Sequence, residues 1–313
     1  MKNTRTFQKS GIKIKSNYDV KSNLFVKKDD EILNFLLNNL QGYSRNNIKA
    51  LLKNHQIIIN GTPVKQFDYK ILVGDSIDIL KNRHFEPAKN PLEIVYEDDE
   101  IVVINKREGL LTIASDKEKT KTALQEVTAY LRLKNIKARA YICHRLDKGT
   151  SGILMFAKNM KLQKKLQDNW NDLVLARGYF AVVMGKMEKE TDNLEMYLAE
   201  NNFNLMYVTK NTKEGKLSLL KYKVLKTSDK YSYLDVHIDS GRKNQIRVML
   251  GHLGHFVLGD DKYGEPDDPL KRLALHSYEL TLIHPDTRKK MSFKTKPPVS
   301  FTKLFKEKNE KKG

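Results

Sequence analysis

His144-Arg145-Leu146-Asp147-Lys148-Gly149-Thr150-Ser151-Gly152 runs directly into the apolar stretch Ile153–Phe156 and then Ala157-Lys158. An apolar run behind a glycine-punctuated turn reads as a buried strand, and a turn at the mouth of such a strand is open to whatever lies above the sheet. Asp147 is therefore a candidate carboxylate for chemistry. Taken alone, these nine residues favour a plainer reading, a surface Asp ion-paired to Arg145 or Lys148 in a turn whose glycines and Thr-Ser pair serve only the backbone.

Two further clusters lie downstream. Ala176-Arg177-Gly178-Tyr179-Phe180-Ala181-Val182-Val183-Met184-Gly185 alternates as a strand, with Tyr179 and Ala181 on one face and Phe180 and Val182 on the other. A tyrosine facing a cleft can stack on a nucleobase, whereas a strand tyrosine without context is more often core. Ser240-Gly241-Arg242-Lys243-Asn244-Gln245-Ile246-Arg247 follows a strand ending near Ile238. Arg247 can pair with a buried carboxylate and keep it ionised; the alternatives are a phosphate contact or a surface ion pair worth less than about 1 kcal/mol. His252 and His255 have no third ligand nearby, so no metal site is expected.

Around these clusters the chain divides. Glu31–Leu40 has helical spacing, and Ser44 caps a second helix carrying Ile48, Leu51 and Leu52. Strands are expected at Ile57–Asn60, around Pro63–Val64 and at Ile77–Leu80, with the hairpin signal Asn60-Gly61 between the first two. Arg83–Pro91 reads as a linker. Beyond it, Leu92–Val95, Ile101–Ile104, Ile153–Phe156, Tyr179–Val183, Ser218–Val224, Tyr233–Ile238 and Leu280–Ile283 read as strands, Thr122–Leu133 and Lys158–Val174 as helices. The expected boundaries are a basic arm at 1–20, a first domain at 21–82, a linker at 83–91, a second domain at 92–300 and a Lys-rich tail at 301–313.

Charge points to the partner. The 313 residues carry 57 Lys+Arg against 38 Asp+Glu, a formal +19, and such a surplus draws a protein toward polyanions, nucleic acid first. The single cysteine, Cys143, excludes an internal disulfide framework and a cysteine zinc site; a reducing cytoplasm fits. No run approaches the ~18 apolar residues of a membrane span, and residues 1–20 lack the apolar centre of a signal peptide. The reading is a protein free of membranes.

In order along the chain, His-Arg-Leu-Asp-x-x-Thr-Ser-Gly, Arg-x-Tyr-x-Ala-x-Val-x-Gly, Gly-Arg-x-x-Gln-Ile-Arg and Leu-Gly-Asp-x-x-Tyr-Gly (Leu258 to Gly264) resemble the motifs of the RluA-type pseudouridine synthases. The resemblance spans about residues 92–297, and Ile94–Asp99 and Val103–Lys106 look like that family's first strands. Residues 24–80, from Ser44-Arg45 through Asn60-Gly61 to Gly74-Asp75, are similar to the S-four-type RNA-binding module carried in front by many members. The implied fold is α+β: a mixed, mainly antiparallel β-sheet catalytic domain with flanking helices, preceded by a small α/β RNA-binding domain. The implied roles are the catalytic aspartate for Asp147, stacking on the target uracil for Tyr179, pairing with the aspartate for Arg247 and holding the flipped-out RNA for Arg145. His144, Thr150, Arg242 and Gln245 are expected to contact substrate RNA, and Ser44, Arg45 and Lys49 to contact RNA from the front domain. The family commonly has other residues at Arg107, Arg177, Lys243, Asn244 and Met249. None of these departures is expected to touch Asp147, Tyr179 or Arg247, and those at 243, 244 and 249 point to altered RNA contact near the site.

The chemistry suits these residues. Isomerising uridine breaks the bond from uracil nitrogen 1 to the ribose, turns the ring and joins its carbon 5 to the same ribose carbon, so nothing is added or lost and no cofactor is expected. It needs one ionised carboxylate beside ribose and uracil, with a cation preventing its protonation, and a base for the proton leaving carbon 5, for which the Tyr179 hydroxyl is a candidate. The family favours ribosomal RNA of the large subunit as substrate, with transfer RNA as the alternative, and a monomer. A non-catalytic RNA-binding protein has no use for a carboxylate in an RNA-facing pocket, and a glycosidase would be expected to show paired carboxylates.

Overall fold

A computed structural model of the chain describes residues 20–60, 62–81, 92–115, 122–135, 137–264 and 268–305. The linker expected over 83–91, the arm expected over 1–20 apart from Val20, Gly61 and the tail beyond 305 lie outside the described residues. These residues fall into two compact units, one within 1–86 and one within 87–313.

The first unit contains β1 (Val20–Phe25), β2 (Asp30–Glu31), α1 (Ile32–Asn39), α2 (Arg45–Lys53), β3 (Ile57–Ile59), β4 (Thr62–Pro63), β5 (Lys70–Ile71) and β6 (Ser76–Leu80). Its main sheet has the order β1-β6-β3-β4, all antiparallel, and β2 pairs with β5. The helical spacing does what it promises: Ile32, Leu33 and Leu36 from α1 and Ile48 and Leu52 from α2 are buried with Ile57, Ile59, Ile77 and Ile79. Ser44 caps α2 by accepting from the Asn47 N–H at 3.2 Å. Strands β1, β2 and β5 carry no sequence signal, because two are only two residues long and β1 alternates weakly.

The second unit contains β7 (Glu93–Glu97), β8 (Ile101–Lys106), α3 (Ala123–Lys134), β9 (Tyr141–Ile142), β10 (Ser151–Ala157), α4 (Met160–Asp168), α5 (Trp170–Leu173), β11 (Val174–Met184), β12 (Thr191–Glu200), β13 (Met206–Thr209), β14 (Lys216–Thr227), β15 (Tyr231–Ile238), α6 (Gln245–His252), β16 (Leu275–Ile283), β17 (Lys290–Lys294) and α7 (Val299–Lys303). All its strands join one mixed, mainly antiparallel sheet of order β13-β12-β14-β15-β11-β16-β10-β8-β7, with β17 on β16 and β9 on β10.

The run Ile153–Phe156 is uniformly apolar because β10 is buried on both faces. Leu154 and Phe156 join the core that holds Val127 of α3 and Met249 and Leu250 of α6. Ile153 and Met155 join the opposite core, with Leu162 and Leu166 of α4 and Leu173 of α5. The sheet's one parallel pairing joins β10 to β16, Ser151 opposite His276 and Gly152 opposite Ser277. Gly152 has φ +115°, and a Cβ there would stand 2.0 Å from the Ser277 carbonyl oxygen, so only glycine lets the two strands meet. The helix expected over Lys158–Val174 is corrected: Asn169 ends α4, α5 adds one turn, and Val174 already belongs to β11.

Candidate active site

Asp147 sits in the turn leading into β10, and the turn is fixed from three sides. Thr112 Oγ1 donates to the Leu146 carbonyl at 2.7 Å and accepts from the Leu146 N–H at 3.1 Å. The Thr150 N–H donates to the Asp147 carbonyl at 3.2 Å. Lys106, buried at the end of β8, donates from Nζ to the carbonyls of Leu110 (2.8 Å), Arg107 (3.1 Å) and Lys148 (3.3 Å). Burial pulls the Lys106 ammonium down to about 7, with the Asp147 carboxylate opposing the shift.

A cleft of about 450 Å³ opens beside this turn, lined among others by Arg145, Asp147, Tyr179, Arg242 and Arg247. Four arginines line it (Arg145, Arg177, Arg242, Arg247) and one carboxylate, Asp147. Tyr179 is placed by register: it stands opposite Ser277 on β16, and Ser277 stands opposite Gly152 on β10. Burial raises the Tyr179 phenol above its ordinary pKa, and Asp147 adds to this. Its hydroxyl is therefore protonated near neutrality, so it can take up a proton only by passing on its own.

Arg247 projects from α6, whose first six residues are all buried. Its principal partner is Asp260, not Asp147. Nε and Nη2 make a two-pronged pair with the Asp260 carboxylate at 2.7 and 2.5 Å, while Nη1 lies 3.5 Å from Asp147 Oδ2. The Asp260 side chain is 1% exposed and that of Asp147 is 32% exposed, so the buried acid fixes the guanidinium and the open one faces the cleft. Asp260 also accepts from the N–H groups of Lys262 and Tyr263.

The departures at 244 and 249 are corrected by these contacts. Asn244, in the left-handed region at φ 52°, accepts from Arg247 Nη1 at 3.1 Å and donates to the Tyr263 hydroxyl at 3.0 Å, so this departure does touch Arg247. Met249 is wholly buried in the core, and Lys243 pairs with Glu200. Met249 is thereby out of reach of RNA, whereas Lys243 remains exposed.

Among the remaining sequence candidates, Arg145 and Arg242 line the cleft and are exposed, and Thr150 lines it but is 2% exposed. Gln245 lines it too, yet its side chain braces the loop: Oε1 accepts from Ser240 Oγ (2.8 Å) and the Arg242 N–H (3.0 Å), and Nε2 donates to the Leu219 carbonyl (2.9 Å). His144 Nε2 accepts from the Met155 N–H at 3.1 Å, and its ring centroid lies 5.1 Å from that of Trp170, the chain's single tryptophan. Ser44, Arg45 and Lys49 belong to the first unit and are not among the residues lining the cleft; Lys49 Nζ lies over the Phe67 ring at 5.2 Å. Sequence reasoning quoted Asp260 and Lys106 only as letters of a motif, and missed Thr112, Asn244 as a partner of Arg247, and Trp170. Among the described residues no three His, Cys, Asp or Glu side chains are grouped to hold a metal ion.

Residues 100–252 match the protein family described as RNA pseudouridylate synthase. The chain is 30% identical over 280 residues to the ribosomal large subunit pseudouridine synthase D of Pasteurella multocida, covering 84% of this chain and 86% of that protein. It is 32% identical over 282 residues to the protein of the same name from Haemophilus influenzae, with the same shares covered. Among solved structures, the human RNA pseudouridylate synthase domain containing 1 is similar with a TM-score of 0.55 and 25% identity, covering 68% of this chain and 87% of that one.

Two outcomes are expected from this geometry. Asp260→Asn leaves Arg247 a buried cation with a weakened partner, so unfolding by denaturant should show a loss of about 3–5 kcal/mol and RNA turnover should fall with it; an unchanged midpoint would show that Asp260 does not carry the pair. His144 accepts a backbone N–H through Nε2, and burial pushes its pKa down to about 3; burial pushes that of His276 down to about 4, against an ordinary 6.5. Both rings are neutral when folded and take up protons on unfolding, so this contribution is complete above pH 6.5 and is lost as pH falls toward 3–4. Denaturant midpoints measured from pH 7 to 4.5 should decline, and less steeply in His144→Gln.

Proposed function

The chain belongs to the RNA pseudouridylate synthase family, and we propose that it isomerises uridines of large-subunit ribosomal RNA, with Asp147 as the catalytic carboxylate. That the chain is an RNA pseudouridine synthase, an isomerase, follows from its relatives. Ribosomal RNA is favoured because several of those relatives are named for the large ribosomal subunit.

The observation that carries the site assignment is Asp147 Oδ2 at the cleft, 3.5 Å from an arginine already fixed by Asp260. A uridine stacked in a helix is out of reach of that carboxylate, so the reaction begins with flipping, at a cost of a few kcal/mol offset by contacts in the pocket. Tyr179 supplies a stacking face on the sheet side. Arg145 and Arg242 hold the backbone of the displaced strand, since four arginines against one carboxylate give the cleft a net 4 − 1 = +3 and draw phosphate to it. Arg247 Nη1 stands 3.5 Å from Asp147 Oδ2 and orients the carboxylate toward the cleft. Asp147 then acts on the ribose or the ring as the glycosidic bond breaks; carbon 5 takes the ribose, carbon 5 releases its proton and nitrogen 1 gains one, so atoms balance with no co-reactant.

The first unit is read as an S-four-like module that adds RNA affinity, with Arg45 and Lys49 exposed on α2. No helix among the described residues is long and apolar enough to cross a membrane, and the protein is proposed to work in the cytoplasm as a monomer.

Mapping of pseudouridine in total RNA from cells lacking this chain, complemented with wild type or Asp147→Asn, tests the assignment. Sites that vanish in the deletion should return with wild type alone, and in the large-subunit RNA; recovery with Asp147→Asn would remove Asp147 from the chemistry. For the first unit, Arg45→Gln with Lys49→Gln should weaken RNA binding and lower the slope of log K against log salt by about 2, since each phosphate no longer neutralised removes about 0.9. An unchanged slope would take α2 off the RNA.

A further inference from the structure

Arg177 is the one arginine of the cleft to which the proposed reaction gives no task. It lies two residues before Tyr179 on β11 and so shares its face of the strand. Its Nη2 donates to the Asp239 carbonyl at 2.6 Å, and its Nη1 lies over Gly241, where a Cβ would come within 2.7 Å of it. The guanidinium is thus held at the cleft wall by a carbonyl on one side and a bare Cα on the other.

Its charge is not answered by the protein. Among the described residues no carboxylate lies within 4 Å of it; the acid lining the cleft, Asp147, faces Arg247. Burial is the largest influence on its pKa and lowers it, with Tyr179 and Asp239 only partly opposing. A guanidinium has five N–H donors, and Arg177 makes its hydrogen bond within the described residues with Nη2 alone. A half-buried cation without an ion-pair partner favours a ligand that brings the counter-charge. A planar fork opening on a cleft suits two oxygens of one phosphate.

We propose that Arg177 is the anchor for the phosphodiester flanking the flipped uridine, with the exposed Arg242 completing the anion site. This rests on the reading that the cleft receives that uridine. It also explains Gly241: any side chain there displaces the Arg177 guanidinium from its seat.

The test uses short RNA stem-loops containing a uridine mapped as a target, with the phosphate 5′ or 3′ to that uridine replaced singly by a neutral methylphosphonate. With wild-type protein one of the two replacements should lower kcat/KM about 10- to 100-fold, the range for losing a charge-assisted hydrogen-bonded pair. Arg177→Gln should show a comparable loss on unmodified RNA and almost no further loss on that methylphosphonate, and Arg177→Lys should fall between. Gly241→Ala keeps the charge but moves it, and should lose the same coupling while melting as wild type does. If both neutral RNAs lose equally with wild type and Arg177→Gln, or if neither replacement affects wild type, Arg177 only ties β11 to the 239–241 turn and the proposal is overturned. Should the wild type bind these RNAs without converting them, the functional reading fails, and the same coupling measured in Kd still decides the anion site.

Discussion

One guanidinium held by a buried carboxylate organises this cleft. Arg247 is buried at the start of α6, and a buried charge persists only where the fold supplies a partner of opposite sign. Asp260 is that partner, with a side chain 1% exposed and both oxygens engaged. The pair ties α6 to the loop before β16, and Asn244 in its left-handed conformation adds a third contact to the same guanidinium. Placing Arg247 places Nη1 toward Asp147, so the electrostatics of the cleft are inherited from a buried ion pair.

The sheet delivers the other groups to the same place. The parallel meeting of β10 and β16 at Gly152 puts the Asp147 turn, Ser277 and Tyr179 in a row across adjacent strands. Antiparallel neighbours on either side then extend the sheet without disturbing that seam. The backbone contacts of Thr112 and Lys106 serve the same end from β8 and the segment after it, holding carbonyls of the turn so that the carboxylate is the part left exposed.

Much of this was legible in the residues. Apolar spacing located α1, α2 and α3, and strand-like runs located β8, β10 and β15, because each carries a strong period or an unbroken apolar run. Helix α6 was not legible, since a helix buried over its first six residues shows no amphipathic stripe. The edge strand β13 is only four residues long, and the apolar spacing of α4 continues through Leu173 and Val174 into β11. Asp147, Tyr179 and Arg247 were nameable from their motifs, whereas Asp260 and Asn244 were not, because pairing across 13 and 3 residues is settled by α6 and the loop after it. The amide of Gln245 is committed to Ser240, Arg242 and Leu219, contacts that its motif does not reveal.

Asp147 and Asp260 meet the same guanidinium in different ways. Were Asp147 the sole partner of Arg247, a two-pronged pair would hold it in one geometry and satisfy both of its oxygens. Asp260 takes the fork instead, and Asp147 is left with a single, longer approach of 3.5 Å. At that distance the guanidinium still attracts the carboxylate without engaging it in a fork, so the Asp147 oxygens stay open to the cleft. In the proposed reading the surrounding arginines offset the repulsion between this carboxylate and an RNA backbone, so the charges that would recruit the substrate also make the acid tolerable beside it.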